Sequence, residues 1–403
     1  MATEEKIAED TGHRIENMWL NFGPQHPSAH GTLHLIIEVD GERIVSSIPH
    51  IGYLHCGFEK LGEHRSYNQF TAIADRMNYL SPMCNDIGWS LASEKLFDVE
   101  ITERCALIRM IVMELSRIAD HMFATGMQAV DIGAFTWFLY GWRHREEIYD
   151  ILERCCGQRL TTSYSRIGGL MRDMDDTAVE MALDTARRLP KTLDDMEGLL
   201  KRNRIWIDRT CDVGSFTTEQ ALNWGYTGPC LRAAGVPYDV RKDEPYLLYN
   251  EVDFDIPIGE HGDVFDRWNV RMEEMRQSAR IVQQCCEKLE PGPINTPDNR
   301  FHLPPRERLY DNIESMIMHF KQVMFGHGTR PPKGEVYCRT EAPNGELGFY
   351  IVSDGTDNPY RVHVRSPSLM QFSAIPEQIN GRMISDVVAI MGSLNIIAGE
   401  LDR

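Results

Sequence analysis

Two histidines lie close together in a loop that contains two prolines and has a glycine at each end. The loop runs from Gly23 to Gly31 and reads GPQHPSAHG. Proline excludes a regular helix here, so the four-residue spacing does not place His26 and His30 on one helical face. Such a loop can hold an imidazole in a cavity, where the ring gives or takes a proton near neutral pH. A purely structural role for both histidines is the alternative.

A carboxyl group and a phenol are the other single side chains that could do chemistry. Asp131 lies in AVDIGAF, where a carboxylate removed from water needs a partner or must become neutral. It could orient a histidine in an acid/base pair, or it could cap a helix that begins near Gly133. Tyr79 offers a hydroxyl that can donate to a carbonyl oxygen, although packing alone would also account for a tyrosine.

A basic segment, RLTTSYSRIGG, extends from Arg159 to Gly169. It predicts either a cationic turn that faces a partner or an anion, or ordinary salt bridges to surface carboxylates. The ten cysteines of the chain include no C-x-x-C pair, and zinc and iron–sulfur sites usually show such spacings. We therefore predict reduced thiols and no metal bound by this chain.

The elements that must position these residues follow from hydrophobic periodicity and turn signals. The clearest helix, residues 104–125, is apolar except for one polar arc that contains Arg109, Glu114, Arg117, Asp120 and His121. Further helices are predicted at 135–156, 177–200, 262–289, 305–324 and 384–393. Strands are predicted at 17–22, 32–40, 42–48, 335–341, 346–353 and 360–365.

These elements predict an α+β fold that is mainly α, with four parts. Residues 1–15 form a flexible acidic tail, and residues 16–65 form an N-terminal β-hairpin region that carries the histidine loop. Residues 66–330 form a helical bundle, whose stretch at about 201–260 reads as an irregular insertion. Residues 331–403 form a C-terminal antiparallel β-meander and a short helix.

Composition excludes several classes of function. The net charge of −18 over 403 residues argues against nucleic acid as a partner and against basic attachment to anionic lipid. No signal peptide is visible, and the most apolar stretch, Ile132 to Trp142, is too short to span a bilayer. Any membrane association must therefore come through partners. No G-x-G-x-x-G or P-loop motif is present, so direct dinucleotide binding is not expected.

Several long motifs together resemble one family. From about residue 16 to 403 the chain resembles the quinone-site core subunit, designated D, of NADH:quinone oxidoreductase (respiratory complex I). The motifs that carry the resemblance are NFGPQHPSAHGTLHL, PHIGYLHCGFEK, ELSRIADH, CGQRLTTSYSRIGG, GEHGDVFDR, PPKGEVYCRTEAPNGELGFYIVSDG and the terminal GELDR.

The resemblance implies a helical bundle like that of the large subunit of nickel–iron hydrogenases. Those hydrogenases hold nickel by two C-x-x-C motifs, whereas here Cys56 stands alone, with Tyr53 and Glu59 at the spacings of a second cysteine. The last cysteine, Cys338, is far from the C-terminus. Nickel is therefore not expected, and the family places quinone in the vacated site.

The resemblance also implies residue roles. His30 and Tyr79 fall on the family's ligands of the quinone headgroup, and His26 is expected to bind the quinone as well. Asp131 falls on the carboxylate that is paired with the histidine. We therefore expect Tyr79, His30 and Asp131 to be catalytic. A scaffold that has lost its chemistry is the structural alternative, and the presence of these three residues together argues against it.

The expected partners are other subunits of complex I, especially those designated B, C and H, of which H belongs to the membrane arm. FMN and the iron–sulfur clusters would reside in partners, this chain would hold no cofactor by itself, and quinone (menaquinone or ubiquinone) would be the substrate. The expected location is the cytoplasmic face of the cell membrane, where the chain would be peripheral. A relative that takes electrons from ferredoxin instead of NADH is the alternative function.

Five residues are expected near the terminal iron–sulfur cluster, which the family places in the partner designated B: Cys56, Arg159, Thr161, Tyr164 and Arg166. Many relatives carry arginine at the position of Cys56 and histidine at that of Thr161. Loss of these cations would lower the potential of the cluster, which would suit a low-potential quinone such as menaquinone. Asn395 stands where an aspartate is often found, with no consequence that the sequence alone indicates.

Overall fold

The computed structural model describes residues 17–324 and 326–403, so the tail predicted for residues 1–15 lies outside the described residues. A three-stranded antiparallel sheet comes first, in the order β1-β2-β3. Its strands are β1 (Met18–Phe22), β2 (His34–Asp40) and β3 (Arg43–His50). The hairpin predicted at Asp40-Gly41 is confirmed, because Asp40 pairs with Arg43 and Gly41 adopts a left-handed φ of 62°.

Three helices lead from this sheet into the bundle: α1 (Phe58–Glu63), α2 (Tyr67–Ala74) and α3 (Pro82–Phe97). In α3, polar residues such as Asn85 and Asp86 are as deeply buried as Trp89. Protein surrounds this helix on every side, so its sequence has no amphipathic stripe from which its bounds could be predicted.

The centre of the bundle is α4 (Glu103–Asp131), which packs against α5 (Phe135–Cys156). The side chain of Thr102 caps α4 by accepting the backbone N–H of Cys105 at 3.3 Å. The helix continues past residue 125, where its predicted range ended. Gly126 permits this close packing, because a Cβ there would lie 2.9 Å from the ring of Phe138.

A short ribbon of β4 (Ser165–Arg166) and β5 (Gly169–Leu170) precedes α6 (Asp176–Leu200). The stretch 201–260 reads as irregular in sequence, yet four short helices lie within it: α7 (Arg204–Thr210), α8 (Thr218–Asn223), α9 (Gly228–Ala233) and α10 (Val240–Asp243). Each is too short for its periodicity to stand out between glycines and prolines. The long helix α11 (Val264–Lys288) then packs on α4 and α6.

The helices α12 (Arg308–Asp311) and α13 (Ile313–Val323) follow, and neither contains a buried residue. The apolar side chains of α13 are largely exposed, with Ile313 at 75% and Phe320 at 57% of their full accessibility. An amphipathic helix of this kind normally lays its apolar side on a core. In α13 that side is uncovered.

The C-terminal part begins with an antiparallel sheet in the order β6-β7-β8, so the predicted meander is confirmed. Its strands are β6 (Gly334–Ala342), β7 (Gly345–Ser353) and β8 (Arg361–Arg365). Four helices complete the chain: α14 (Pro367–Ser373), α15 (Ile375–Ile379), α16 (Ile384–Leu394) and α17 (Ala398–Asp402). Because α16 packs on α4, the end of the chain returns to the centre of the bundle.

The fold is therefore α+β and mainly α, with the β-hairpin region and the meander at its two ends, as predicted. All ten cysteines are unpaired thiols. Among the helices of the described ranges, none combines the length and the apolar character needed to cross a membrane.

Candidate functional site

The histidine loop lies between β1 and β2 and turns through a short 3₁₀ helix, Pro27–Ala29. Glycine is required where the loop begins, because Gly23 has a φ of +85° and a Cβ there would lie 2.2 Å from the carbonyl oxygen of Leu33. The ring nitrogen Nδ1 of His26 accepts the backbone N–H of Ser28 at 3.2 Å. His26 therefore fixes the shape of the turn that precedes His30.

His30 and Tyr79 line the same cavity, which has a volume of about 140 Å³. His30 leaves the 3₁₀ turn with a left-handed φ of 52°, and Tyr79 lies between α2 and α3. The cavity is thus the meeting point of two loops that are distant in sequence. Its wall is mostly apolar and includes Leu33, Leu80, Phe123, Met127, Met391 and Ile397.

The surroundings of the two polar side chains keep both of them uncharged near neutral pH. Burial lowers the pKa of the His30 imidazole, although part of the ring remains exposed to solvent. Burial, and after it the negative charge of Asp120, raises the pKa of the Tyr79 hydroxyl. A neutral imidazole offers one N–H and a phenol offers one O–H. His30 and Tyr79 therefore each offer a hydrogen-bond donor to the cavity.

Asp131 is the last residue of α4, and the residue before α5 is Ala134. The capping alternative for Asp131 is therefore wrong, because Ala134 occupies the N-cap position of α5 and Asp131 still belongs to α4. Burial raises the pKa of the Asp131 carboxyl to about 6, whereas the hydrogen bond from Ser28 and the charge of His26 lower it. A carboxyl group with this pKa can exchange a proton at neutral pH.

The contact of Asp131 with the loop runs through Ser28, whose hydroxyl donates to Oδ1 at 3.3 Å. The second oxygen, Oδ2, is buried and has no hydrogen-bond partner within residues 17–324 and 326–403. Asp131 thus contacts the turn of the loop at Ser28, and of the two loop histidines it is His26 whose charge acts on it. The pairing of Asp131 with His30 stays a prediction.

The ring of His26 lies 4.1 Å from the ring of Phe22, measured between centroids. Of the two loop histidines, only His30 is among the described residues that line the cavity. A contact between His26 and a quinone therefore stays a prediction. Its visible role is to hold Ser28 within the turn.

The five residues expected near a partner's cluster lie in two separate segments of the chain. Cys56 is exposed in the loop before α1, and the other four lie between α5 and β5. In the described part of the chain no hydrogen bond or ion pair joins Cys56 to the second segment. Tyr164 is fully buried, and its hydroxyl donates to the backbone oxygen of Arg172 at 2.7 Å. Tyr164 therefore supports the second segment from inside.

The two arginines of this second segment already have partners. Arg159 forms ion pairs with three carboxylates of α5, those of Glu146, Asp150 and Glu153. Arg166 donates to the backbone oxygens of its own segment. The structure thus bears out the salt-bridge alternative for Arg159. The proximity of the segment to a cluster stays a prediction.

Comparison with known proteins places the chain in a family. The family model described as "Respiratory-chain NADH dehydrogenase, 49 Kd subunit" matches residues 131–403. A relative from Leptospira biflexa, the NADH-quinone oxidoreductase subunit designated D, is 47% identical over the full length of both chains. The protein of the same name from Geotalea uraniireducens is also 47% identical, over 96% of this chain and 99% of the relative. A protein designated D 2 from Cytophaga hutchinsonii, a subunit of the same enzyme, is 49% identical, over 95% and 98%.

The chain belongs to the 49 Kd subunit family. This membership confirms the resemblance that the motifs indicated. The family model begins at Asp131, so it does not include His30 and Tyr79. The relative from Leptospira biflexa does cover both residues, because its likeness extends over the whole chain.

In this 49 Kd family member, the polar arc of α4 is buried and belongs to a charge network that sequence reasoning missed. His121 Nε2 lies 2.8 Å from Glu274 Oε2 on α11. Arg232 donates to Glu274 Oε1 and to Glu341 Oε1, both at 2.8 Å. None of these four side chains is more than 1% exposed. The sequence did contain a signal for this network, because positive and negative residues share one arc of an otherwise apolar helix.

The network continues along α4 toward α10. Glu114 accepts hydrogen bonds from Arg117, Arg241, Tyr249 and Ser278 at 2.6 to 3.2 Å. Burial of Glu114 opposes its charge, but the two arginines and the two hydroxyl groups outweigh it and lower its pKa to about 2. The centre of the bundle thus contains paired charges instead of an apolar core alone.

Proposed function

We propose that this chain and the partner designated B together form the quinone-reduction site of a proton-translocating NADH:quinone oxidoreductase. The observation that carries the proposal is that His30 and Tyr79 line one cavity. The relatives are named as parts of an NADH-quinone oxidoreductase, which favours NADH over ferredoxin as the source of electrons. The electron input itself would reside in other chains.

Two donors suit the chemistry of a quinone, which has two carbonyl oxygens. Reduction adds two electrons and two protons, and negative charge develops on oxygen while the electrons arrive. Hydrogen-bond donors already in place stabilise that charge. The Tyr79 hydroxyl and the His30 imidazole N–H would each bind one end of the headgroup. The apolar wall would hold the ring and exclude water.

Asp131 would take part in proton exchange from beside the loop. Its pKa of about 6 lets both protonation states occur under physiological conditions. Because Ser28 connects it to the turn that ends in His30, a change of charge on Asp131 would be felt by the loop. Rearrangement of the loop would then be a first step in coupling quinone reduction to proton movement.

The size of the cavity supports a site that is completed by a partner. Its volume of about 140 Å³ is below the roughly 300–1,000 Å³ of common ligand pockets. The partner designated B would supply the remaining wall and the terminal iron–sulfur cluster. The partners designated C and H would be further neighbours, and the chain would lie peripherally on the cytoplasmic face of the cell membrane. Metal clusters and FMN would remain in the partners.

Cys56 and Thr161 would set the potential of the partner's cluster. Both are uncharged where many relatives carry arginine and a titratable histidine, so the reduced cluster would have fewer stabilising cations. A low cluster potential suits menaquinone better than ubiquinone. In the assembled complex, Cys56→Arg is expected to raise the midpoint potential of that cluster. An unchanged midpoint potential would show that Cys56 does not lie near the cluster.

Tyr79→Phe in the assembled complex tests the proposal most directly. Removal of one donor to a developing oxyanion is expected to lower kcat for quinone reduction by roughly 10²–10³-fold. Tyr310→Phe is the matched control, because Tyr310 is 80% exposed. Reduction of a water-soluble artificial acceptor reports whether the complex has assembled. Normal quinone reduction by an assembled Tyr79→Phe complex would refute the proposed site.

A further inference from the structure

Tyr79 lies in a turn that one buried asparagine closes. Asn78, the residue before it, is completely buried. Its side-chain Oδ1 accepts the backbone N–H groups of Leu80 and Ser81, both at 3.2 Å. An asparagine that bonds to its own backbone in this way fixes the local turn. Because the two bonds span residue 79, they fix the backbone of the tyrosine that lines the cavity.

The other end of the Asn78 amide is held by the C-terminal segment. Its Nδ2 donates to Glu400 Oε2 at 3.3 Å, a contact between two buried side chains that are 322 residues apart. Ser368 donates its hydroxyl to the same oxygen at 3.1 Å, and that hydroxyl accepts the backbone N–H of Ile397 at 3.3 Å. Ile397 also lines the cavity. One carboxyl group therefore connects the Tyr79 turn with another part of the same wall.

The backbones of the two segments also lie against each other. A Cβ at Gly399 in α17 would lie 2.8 Å from the carbonyl oxygen of Met77 and 3.0 Å from that of Arg76. Glycine is therefore needed for this close approach. Ala398, the first residue of α17, lines the cavity. The position of Tyr79 is thus set jointly by its own turn and by the end of the chain.

We infer that Asn78 is a positioning residue for Tyr79 and that Glu400 anchors it. Neither is among the described residues that line the cavity, so both act through Tyr79. A donor stabilises charge on a reacting oxygen only when its hydroxyl is correctly placed, and a displacement of about 1 Å can cost roughly 10²-fold in rate. The inference rests on the proposed function and adds two residues behind the site.

The first test is the rate of quinone reduction by the assembled complex. Asn78→Ala removes both bonds of the turn and the contact with Glu400, and kcat is expected to fall by up to about 10²-fold. Asn203→Ala is the matched control. Asn203 makes the same two bonds in its own turn, to the N–H groups of Ile205 and Trp206 at 2.9 and 3.4 Å, but at the start of α7. The control should keep its kcat.

A Tyr79→Phe background separates positioning from folding. If Asn78 acts through the Tyr79 hydroxyl, Asn78→Ala should have little further effect on kcat once that hydroxyl is absent. An equal loss of kcat in both backgrounds would overturn the inference, because Asn78 would then act on the fold independently of Tyr79. An unchanged kcat for Asn78→Ala in the wild-type background would overturn it as well.

A pair of substitutions tests the anchor at Glu400. Asn78→Asp keeps an acceptor for the two backbone N–H groups but places two carboxyl groups in contact, so kcat should fall. Adding Glu400→Gln restores a hydrogen bond of reversed direction, because the new amide can donate to the new carboxylate. The kcat should then rise toward the wild-type value, and failure of this rescue would overturn the role of Glu400. If Asn78→Ala does not assemble, Asn78→Asp carries the comparison of the two backgrounds.

The outcomes distinguish this inference from the proposed function. Normal quinone reduction by Tyr79→Phe would refute the contact between Tyr79 and quinone, and with it the proposed function. A slow Tyr79→Phe complex together with a normal Asn78→Ala complex would refute only the positioning role. Reduction of the artificial acceptor again reports assembly.

Discussion

The hydroxyl of Ser28 donates to Asp131 Oδ1 at 3.3 Å and joins two parts of the chain that are 103 residues apart. One end of this contact is the loop that carries His30, and the other is the last residue of the central helix. The loop is therefore not held by its own turn alone. It is also attached to a carboxyl group whose pKa of about 6 makes the strength of the attachment depend on pH.

Ser28→Ala is expected to weaken this attachment. Loss of one hydrogen bond to a charged group should lower the free energy of unfolding by about 1–2 kcal/mol, and the pKa of Asp131 should rise further because the hydrogen bond lowers it. Thermal unfolding of the full chain measures the first effect. Ser46→Ala, which removes a hydrogen bond to the half-buried Glu38, is the control. Equal losses in the two variants would contradict a special role for Ser28.

Asp131→Asn should change how stability depends on pH. Since burial raises the pKa of Asp131 from 3.8 to about 6, the folded chain binds more protons than the unfolded chain between these values. This contribution to the wild-type stability is complete below about pH 4 and is lost as pH rises to about 6. The variant has no such loss. Its free energy of unfolding should therefore rise relative to that of wild type over this range, by at most about 3 kcal/mol.

Thermal unfolding of the full chain on both sides of that range measures the difference. Asp175→Asn is a control of opposite sign, because the hydrogen bond from Arg154 lowers the pKa of Asp175. That variant should lose stability relative to wild type as pH rises toward about 4, and the difference should stay constant at higher pH. A difference for Asp131→Asn that does not change with pH would show that the carboxyl is not the titrating group.

Two glycines of the loop should respond differently to alanine. At Gly23 the added Cβ would meet the carbonyl oxygen of Leu33, so the backbone must move. At Gly31 the φ is also positive, +77°, but nothing lies within 4 Å of the added atom. We expect Gly31→Ala to cost about 1 kcal/mol from backbone strain alone. Gly23→Ala should cost clearly more and should also impair quinone reduction. Similar losses in unfolding free energy would contradict this.

Arg232 forms its two shortest ion pairs, both at 2.8 Å, with the buried carboxylates of Glu274 and Glu341. Arg232→Met would leave both without their main cation, and breaking a buried pair in this way costs about 3–5 kcal/mol. Arg188→Met is the matched control, because Arg188 also binds two carboxylates but lies at the surface. The control should lose less than about 1 kcal/mol. Comparison of unfolding midpoints distinguishes the two.

The fold was predictable from the sequence wherever one side of a helix or strand is apolar and the other is polar. The hairpin at Asp40-Gly41 and the C-terminal meander show turn signals between alternating strands. The central helix shows a polar arc. Prediction stopped at α3, since Asn85 and Trp89 are equally buried there and no periodic contrast remains.

The site was predictable only through family resemblance. No local pattern relates Asp120 to Asn395, which are 275 residues apart, or Ser28 to Asp131. The first contact forms because α4 and α16 pack together, and the second because the histidine loop meets the end of α4. Packing of distant segments leaves no periodic signal in a single sequence. For this reason the sequence alone did not indicate the contact of Asn395 with Asp120.

The helix α13 has a practical consequence for work on this protein. Its apolar side chains, Ile313 and Phe320 among them, are uncovered. In concentrated solution the chain alone should therefore self-associate through the exposed apolar side of α13, even when every molecule is correctly folded. The yield of a preparation would then be limited by self-association of folded molecules. Added salt would strengthen this association, and a weak detergent would reduce it.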